Sequence, residues 1–274
     1  MPAMPDDISA LALPNESHAI HECSFTLTVS PETKIGHPEE LRRLHDGQMK
    51  VKYPKFDKID VVEARLSGAS LQQAHDKPRS VGFQFKSFKR DGNLSQAFRG
   101  QNEPESWLVV NILEYDNWTS VFESAMYDFR IFADDQKHIS INGVQLHYID
   151  YLFWNSSKDL PFSAIFKPDS NYLPEAIIQS DIWHNQMGFS NTDKSGNREI
   201  VNVRVKVEED HQKHKKITID VPIKRIFAEP ISLTRIVETD GIAENSFREL
   251  HKYNKDVMDN LLTDPVQQLI GLRE

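Results

Sequence analysis

The sequence predicts an α+β protein in which antiparallel sheets carry long helices packed on one face. Strict alternation of apolar and polar residues in IVNVRVKVE (200–208) and again in KITIDVPI (216–223) predicts two half-buried strands of one antiparallel hairpin. Apolar residues at helical spacing predict two long helices, over 116–133 and 244–262. The remaining strands come in runs between these helices, and that order favours an antiparallel sheet over a parallel one.

The first part of the chain is predicted to be a flexible tail, residues 1–19, followed by an α+β half over 20–136. A change of alternation near Val61 and Val62 indicates a bulge, and Asp91-Gly92 predicts a hairpin turn. Asp116 is predicted to cap the first long helix. The predicted elements are strand 24–30, helix 38–46, strands 58–67, 81–89, 94–100 and 106–113, and helix 116–133.

The second α+β half is predicted over 137–274. Pro222 has no N–H to donate, so its strand is expected at a sheet edge or interrupted there. Asp264-Pro265 predicts the start of a short final helix. The predicted elements are strand 139–153, a short element near 172–178, strands 179–189, 198–209, 215–224 and 230–238, and helix 244–262.

Both halves thus predict the same order of elements, β-α-β4-α, without a repeat at the level of residues. Two assemblies satisfy this order. One is a saddle-like double unit, as in TATA-binding-like folds. The other is a helix-grip-like arrangement, in which one curved sheet surrounds a ligand cavity beside a helix.

Composition limits the classes of function. The formal net charge of −9 argues against non-specific binding of phosphate backbones, which depends on Lys and Arg. The single cysteine, Cys23, cannot form an intrachain disulfide, and alternation around it predicts a buried thiol; we expect a cytoplasmic protein. No apolar run reaches the roughly 18 residues of a membrane span, so no membrane partner is expected. No cofactor motif is present, and no cofactor is predicted.

The apolar run ISINGVQLHYIDYLFW (139–154) carries His147 three residues before Asp150. In a strand the two side chains point to opposite faces, about 10 Å apart along the chain, so they cannot form a catalytic dyad. No catalytic residue and no metal ligand is therefore predicted. Buried polar groups still need partners, which makes four residues a candidate polar pocket or core network: His147, Tyr148, Asp150 and Asn254.

Basic residues cluster at two places in the sequence and form a candidate basic surface: Lys86, Lys89, Arg90, Lys213, Lys215 and Lys216. With Phe83, Phe85 and Phe88 interleaved, the first of these clusters resembles a stacking surface for single-stranded nucleic acid. Alternation favours the simpler interpretation, a core strand with basic residues pointing outward. His211 and His214 have a spacing that zinc sites use, but the lysines around them favour a solvated turn.

Three segments of the chain resemble a family of uncharacterised bacterial and archaeal proteins of about this length, which occur sporadically among prokaryotes. VGFQFKSFKRDG (81–92) is similar to an aromatic strand that ends in an Asp-Gly turn in that family. Tyr115, Trp118 and Phe122 match a Tyr-x-x-Trp-x-x-Phe helix start with one extra residue. Further matches are Leu146, Tyr148 and Ile149 in a strand motif, where His147 replaces Arg and Asp150 replaces Asn, and Leu250, His251, Asn254, Thr263 and Asp264 around the closing helix.

The resemblance implies a shared fold and no particular reaction, and the patchy distribution implies an accessory or defence-associated role. We therefore expect a cytosolic binding or regulatory protein, non-enzymatic, that recognises a protein partner through an exposed sheet face. One alternative is a small-molecule-binding protein or enzyme with a pocket between the sheet and a long helix. A second alternative is a nucleic-acid-binding module. The sequence leaves the oligomeric state open.

Overall fold

A computed structural model describes residues 8–15, 17–61, 64–67, 70–73, 79–156, 158–174, 176–177 and 180–272. Residues 1–7 and 16 of the predicted tail lie outside this set. So do Val62 of the predicted bulge and residues 175 and 178 of the short element expected near 172–178.

The strands are β1 Leu11–Ala12, β2 Ile20–Val29, β3 Lys55–Val61, β4 Ala64–Ser67, β5 Ser70–Gln73, β6 Arg79–Phe88, β7 Leu94–Gln101, β8 Trp107–Ile112, β9 Ser140–Trp154, β10 Trp183–Thr192, β11 Arg198–Glu209 and β12 Lys215–Ser232. The helices are α1 Pro38–Leu44, α2 Trp118–Asp135, α3 Phe162–Ile165, α4 Leu233–Ile236, α5 Ile242–Leu261 and α6 Asp264–Leu269, with a π-helical turn at His45–Met49.

Ten of these strands form one mostly antiparallel sheet, which confirms the α+β class. The strand order is β10-β11-β12-β9-β2-β8-β7-β6-β3, and β1 pairs with the end of β9. Strands β4 and β5 form a separate two-stranded sheet. The helices α2 and α5 span 18 and 20 residues. In the part of the chain that the structure describes, no helix has the length and apolarity needed to cross a bilayer.

Alternation predicted the hairpin of β11 and β12 correctly. Val201 pairs with Ile223 and Val207 with Ile217, and the alternate Val and Ile side chains of both strands are buried. Placing Pro222 at a sheet edge was wrong, because β12 lies between β11 and β9. The ladder pairs Val201 with Ile223 and resumes at Arg204 with Asp220, so the interruption expected at this proline does occur.

Two other local predictions were wrong in detail. The strand expected over 230–238 forms only at its start: residues 230–232 are the end of β12, and the chain then turns into α4. The backbone N–H of Leu233 donates to the carbonyl of Ile139, 2.8 Å away, so a tertiary contact decides the conformation here. The cap of α2 is Asn117 and not Asp116, because the Asn117 side chain accepts from the N–H of Ser120.

The predicted turn at Asp91-Gly92 is confirmed. Gly92 adopts φ +85°, where glycine has no steric penalty, and the Lys89 N–H donates to the Asn93 carbonyl at 2.8 Å. The bulge expected near Val61 lies two residues earlier, because the pairing of β3 with β6 shifts between Ile59 and Asp60.

The chain divides into two compact units, which we describe separately. The first unit comprises residues 1–23, 145–226 and 245–274, with strands β10 and β11, most of β12 and β9, and most of α5. Its core contains the buried faces of β11 and β12. The second unit comprises residues 24–144 and 227–244. There the aromatic rings of β6 and β7 pack against α2, with Phe83 and Phe132 stacked at 5.6 Å.

Candidate functional site

The strand β9 divides its polar residues between two faces, as the alternation of its sequence predicts. Tyr148 and Asp150 are buried, at 2% and 4% exposure, whereas His147 is half-buried on the opposite face. His147 and Asp150 therefore do not meet. The structure brings each of them together with different residues of the first unit.

The buried face of β9 contributes to a set of polar groups beneath α5, which we call the core cluster: Cys23, Tyr148, Asp150, His251 and Asn254. The hydroxyl oxygen of Tyr148 lies 2.9 Å from Nδ1 of His251, and Tyr148 also hydrogen-bonds the thiol of Cys23. Asn254, one turn further along α5, is buried, and its Nδ2 has no hydrogen-bond partner among the described residues.

Burial shifts the pKa of three groups of the core cluster, Cys23, Asp150 and His251, toward the neutral form. It raises the pKa of the Asp150 carboxyl to about 7 and lowers that of His251 to about 4, with the nearby charge of Lys255 acting in the same direction on the histidine. Burial also raises the pKa of the Cys23 thiol well above its usual value, and the hydrogen bond from Tyr148 offsets only part of this.

This arrangement is the reverse of what nucleophilic catalysis requires. A catalytic cysteine needs an accessible sulfur with a lowered pKa, commonly beside a histidine that can hold a proton. Cys23 is completely buried, and its environment disfavours the thiolate. His251 stays neutral at physiological pH. The core cluster is therefore a desolvated polar layer between β9 and α5 that does not favour a reactive thiolate, and the buried thiol expected at Cys23 is confirmed.

The opposite side of the sheet in the first unit carries polar side chains at half-buried or exposed positions. We call this surface the open face; it comprises even-numbered residues of β10, β11 and β12 and odd-numbered residues of β9 from Gln145 onward. Directly paired residues in a sheet point to the same side. Arg204 of β11 pairs with Gln186 of β10 and with Asp220 of β12, which places all three side chains on the open face.

Asp220 accepts hydrogen bonds from two other side chains of the open face. The Nε2 of His147 donates to its carboxylate at 2.6 Å, and a guanidinium nitrogen of Arg204 donates at 2.9 Å. Burial alone would raise the pKa of Asp220, but the hydrogen bonds and charges of His147 and Arg204 outweigh burial and hold that pKa below its usual value. His147 thus has its partner on the open face and not in the core cluster.

Tyr151 forms a second contact group on the open face. Its ring stacks on His21, with ring centroids 4.3 Å apart, and the Nζ of Lys216 lies 3.3 Å from the ring centroid. Because β9 lies between β2 and β12, His21 and Lys216 reach Tyr151 from opposite sides. Both faces of the ring are therefore occupied, and neither is free to stack a base.

The open face is basic although the whole protein is acidic. Five Lys or Arg side chains stand among its even-numbered positions against two carboxylates. At high salt such a surface loses part of its attraction for an anion, because exposed charges are screened. The basic residues are Arg198, Arg204, Lys206, Lys216 and Lys224, and the acidic ones are Glu208 and Asp220.

The residues of the candidate basic surface are divided between the two units. Lys86, Lys89 and Arg90 belong to the second unit, and Lys213, Lys215 and Lys216 belong to the first. Lys86 pairs with Asp57 at 2.9 Å, and Lys215 is buried and lies 3.6 Å from Asp181. Phe83 and Phe85 are completely buried, as alternation predicted, and cannot stack on a ligand, whereas Phe88 is 43% exposed.

The second unit contains a buried charged cluster that no sequence pattern indicated. The Nζ of Lys52 donates to Oδ2 of Asp128 at 2.7 Å and to Oγ of Ser124 at 2.8 Å, and the hydroxyl of Tyr53 donates to the same Oδ2. Burial lowers the pKa of Lys52 and raises those of Tyr53 and Asp128. Lys52 and Asp128 stand 76 positions apart in sequence, so no local pattern could have indicated this contact.

The remaining chemistry of the described residues is limited. They include no group of His, Cys, Asp and Glu that could hold a metal ion, and His214 instead lies 3.6 Å from Asp210 in its turn. A cavity of about 440 Å³ in the first unit is lined by Leu11, Leu13, Pro14, Asn15 and Leu269, and thus by none of the candidate residues. Comparison with protein-family models, curated proteins and solved structures found no match.

Proposed function

We propose that this chain is a non-enzymatic binding protein whose open face receives an acidic surface of a protein partner. The single observation that carries the proposal is the charge of that face: five basic side chains against two carboxylates, in a chain whose net charge is −9. Complementary charge steers association and selects partners. The neutral states of Cys23 and His251 support a role without catalysis, because burial shifts the pKa of both groups away from their reactive forms.

Nucleic acid would also satisfy the charge of the open face, but the contacts there favour a protein. Modules that bind single strands stack bases on free aromatic rings. The Tyr151 ring is occupied on both sides, by His21 and Lys216. Asp220 also places a carboxylate, held ionised by its neighbours, in the middle of the face, where it would repel phosphate.

Further parts of the proposal rest on the sequence. They are the regulatory or accessory role, the cytoplasmic location, and the relation to the sporadically distributed prokaryotic family. They also include the finer architecture of two similar β-α-β4-α halves with long helices packed on one face, in a TATA-binding-like or a helix-grip-like arrangement.

Affinity capture from cells of the source organism tests the proposal with matched charge reversals. Lys206 lies on the open face with its side chain 48% exposed, whereas Lys89 lies in the β6–β7 turn of the second unit. We expect one acidic protein to be retained by the wild type and by Lys89→Glu/Arg90→Glu and lost with Lys206→Glu/Lys224→Glu. The purified partner should then bind the double variant at least about tenfold more weakly.

The same experiment separates the alternatives. Equal retention by all three baits would contradict the use of the open face. Nuclease-sensitive retention, with an affinity that falls steeply with salt concentration, would replace the protein partner by nucleic acid.

A further inference from the structure

The two edge strands of the ten-stranded sheet differ sharply in charge. β3, at one edge, has four charged residues among seven: Lys55, Asp57, Lys58 and Asp60. β10, at the other edge, reads WHNQMGFSNT and contains no Asp, Glu, Lys or Arg in ten residues. Charges on an edge strand prevent pairing with another chain, and a long uncharged edge favours it. The charges of β3 therefore protect it from pairing with another chain, and β10 has no such protection.

The hydrogen-bonding pattern identifies which backbone groups of β10 face outward. The N–H of Asp193 donates to the carbonyl of Asn197 at 2.9 Å, and the same register pairs Trp183 with Val207. Odd-numbered residues of β10 therefore bond to β11, because bonded pairs alternate along an antiparallel ladder. The N–H and C=O groups of five residues point away from the sheet: His184, Gln186, Gly188, Ser190 and Thr192.

These five residues leave the edge accessible. Their side chains are exposed, and their outward backbone groups bond to no other backbone group among the described residues. The strand is held in place by its other side chains: Trp183 packs on Phe166, and the Nδ2 of Asn185 donates to the carbonyl of Tyr172 at 2.7 Å. The edge of β10 is therefore a fixed row of five outward backbone N–H donors and five outward C=O acceptors.

We propose that this edge pairs with β10 of a second copy of the chain, antiparallel and centred on Gly188. In a two-fold pair of identical strands, outward-facing residues must meet outward-facing residues, so the centre falls on one residue. A centre at Gly188 engages all five: His184 pairs with Thr192, Gln186 with Ser190, and Gly188 with itself. Gly188 places no side chain on the two-fold axis, and the absence of charge removes repulsion between identical strands.

The register provides a specific test with paired substitutions at Gln186 and Ser190. These positions lie four residues apart in one chain but directly opposite each other across the proposed interface. Gln186→Lys/Ser190→Lys and Gln186→Glu/Ser190→Glu place like charges opposite each other, whereas Gln186→Lys/Ser190→Glu and Gln186→Glu/Ser190→Lys place opposite charges there. The four variants carry the same kinds of side chain, so any effect on the fold of the monomer is separated from pairing.

Sedimentation equilibrium of the full chain measures the outcome, with thermal unfolding as the check that each variant is folded. We expect the wild type and both opposite-charge variants to show twice the monomer mass of 31.6 kDa, and both like-charge variants to show the monomer mass. A monomeric wild type would overturn the proposal. A dimer that persists in all four variants would also overturn it, because the interface would then lie elsewhere.

Discussion

The hydroxyl of Tyr148 on β9 and Nδ1 of His251 on α5 lie 2.9 Å apart in a desolvated layer that also contains Asp150. The pKa shifts of Asp150 and His251 are opposite in sign, and their effects on stability oppose each other. A carboxyl group whose pKa is raised by folding contributes less stability as pH rises from about 4 to 7. A histidine whose pKa is lowered to about 4 contributes more stability over pH 4 to 6.5.

Substitution of Asp150 by Asn should reveal the contribution of His251 to the pH dependence of stability. In the wild type, the contributions of Asp150 and His251 to the pH dependence of the free energy of unfolding nearly cancel below about pH 6.5. Asp150→Asn removes the falling slope, so the free energy of unfolding should rise by up to about 3 kcal/mol between pH 4 and 6.5. His251→Gln leaves the carboxyl alone, and stability should then fall between pH 4 and 7 by up to about 4 kcal/mol. Urea unfolding at a series of pH values measures both; parallel curves for all three proteins would refute the opposed shifts.

The buried pair of Lys52 and Asp128 predicts a large effect from removing one charge. Lys52→Met leaves a completely buried carboxylate with only neutral donors, and we expect destabilisation of about 3 kcal/mol. Lys50→Met is the matched control, since Lys50 and Asp46 are both more than half exposed and 3.8 Å apart. It should change stability by no more than about 0.5 kcal/mol. Equal effects of the two substitutions in denaturant unfolding would count against this role for Lys52.

The cap of α2 gives a third prediction. Asn117→Ala removes the acceptor for the N–H of Ser120 and should lower the free energy of unfolding by about 1 kcal/mol. Asp116→Ala, one residue earlier, should have less than half that effect, because Asp116 does not cap the helix. Thermal unfolding of both variants decides between the two positions, and a larger loss for Asp116→Ala would assign the cap to Asp116.

Local patterns predicted the features that depend on neighbours in sequence. Alternation identified the hairpin of β11 and β12, Asp91-Gly92 identified a turn, and helical spacing identified α2 and α5. The same alternation placed Tyr148 and His147 on opposite faces of β9. Each of these depends on backbone conformation or side-chain direction within a short stretch of the chain.

Features that depend on distant residues could not be predicted. Tyr148 and His251 are 103 positions apart. No single segment of the sequence indicates the strand order that makes β12 an interior strand. Apolar residues over 230–238 suit a strand, but α4 forms there where Leu233 bonds to Ile139. The separation of Lys86 and Lys216 into different units is likewise a property of the whole chain.

Photo-crosslinking from Thr218 tests the proposed function most directly. Thr218 pairs with Lys206 and lies within the open face, between Lys216 and Asp220. A benzophenone amino acid at this position should capture one acidic protein in cells. The same group at Tyr127, 55% exposed on α2 of the second unit, should not capture it. Capture of that protein from Tyr127 and not from Thr218 would contradict the account.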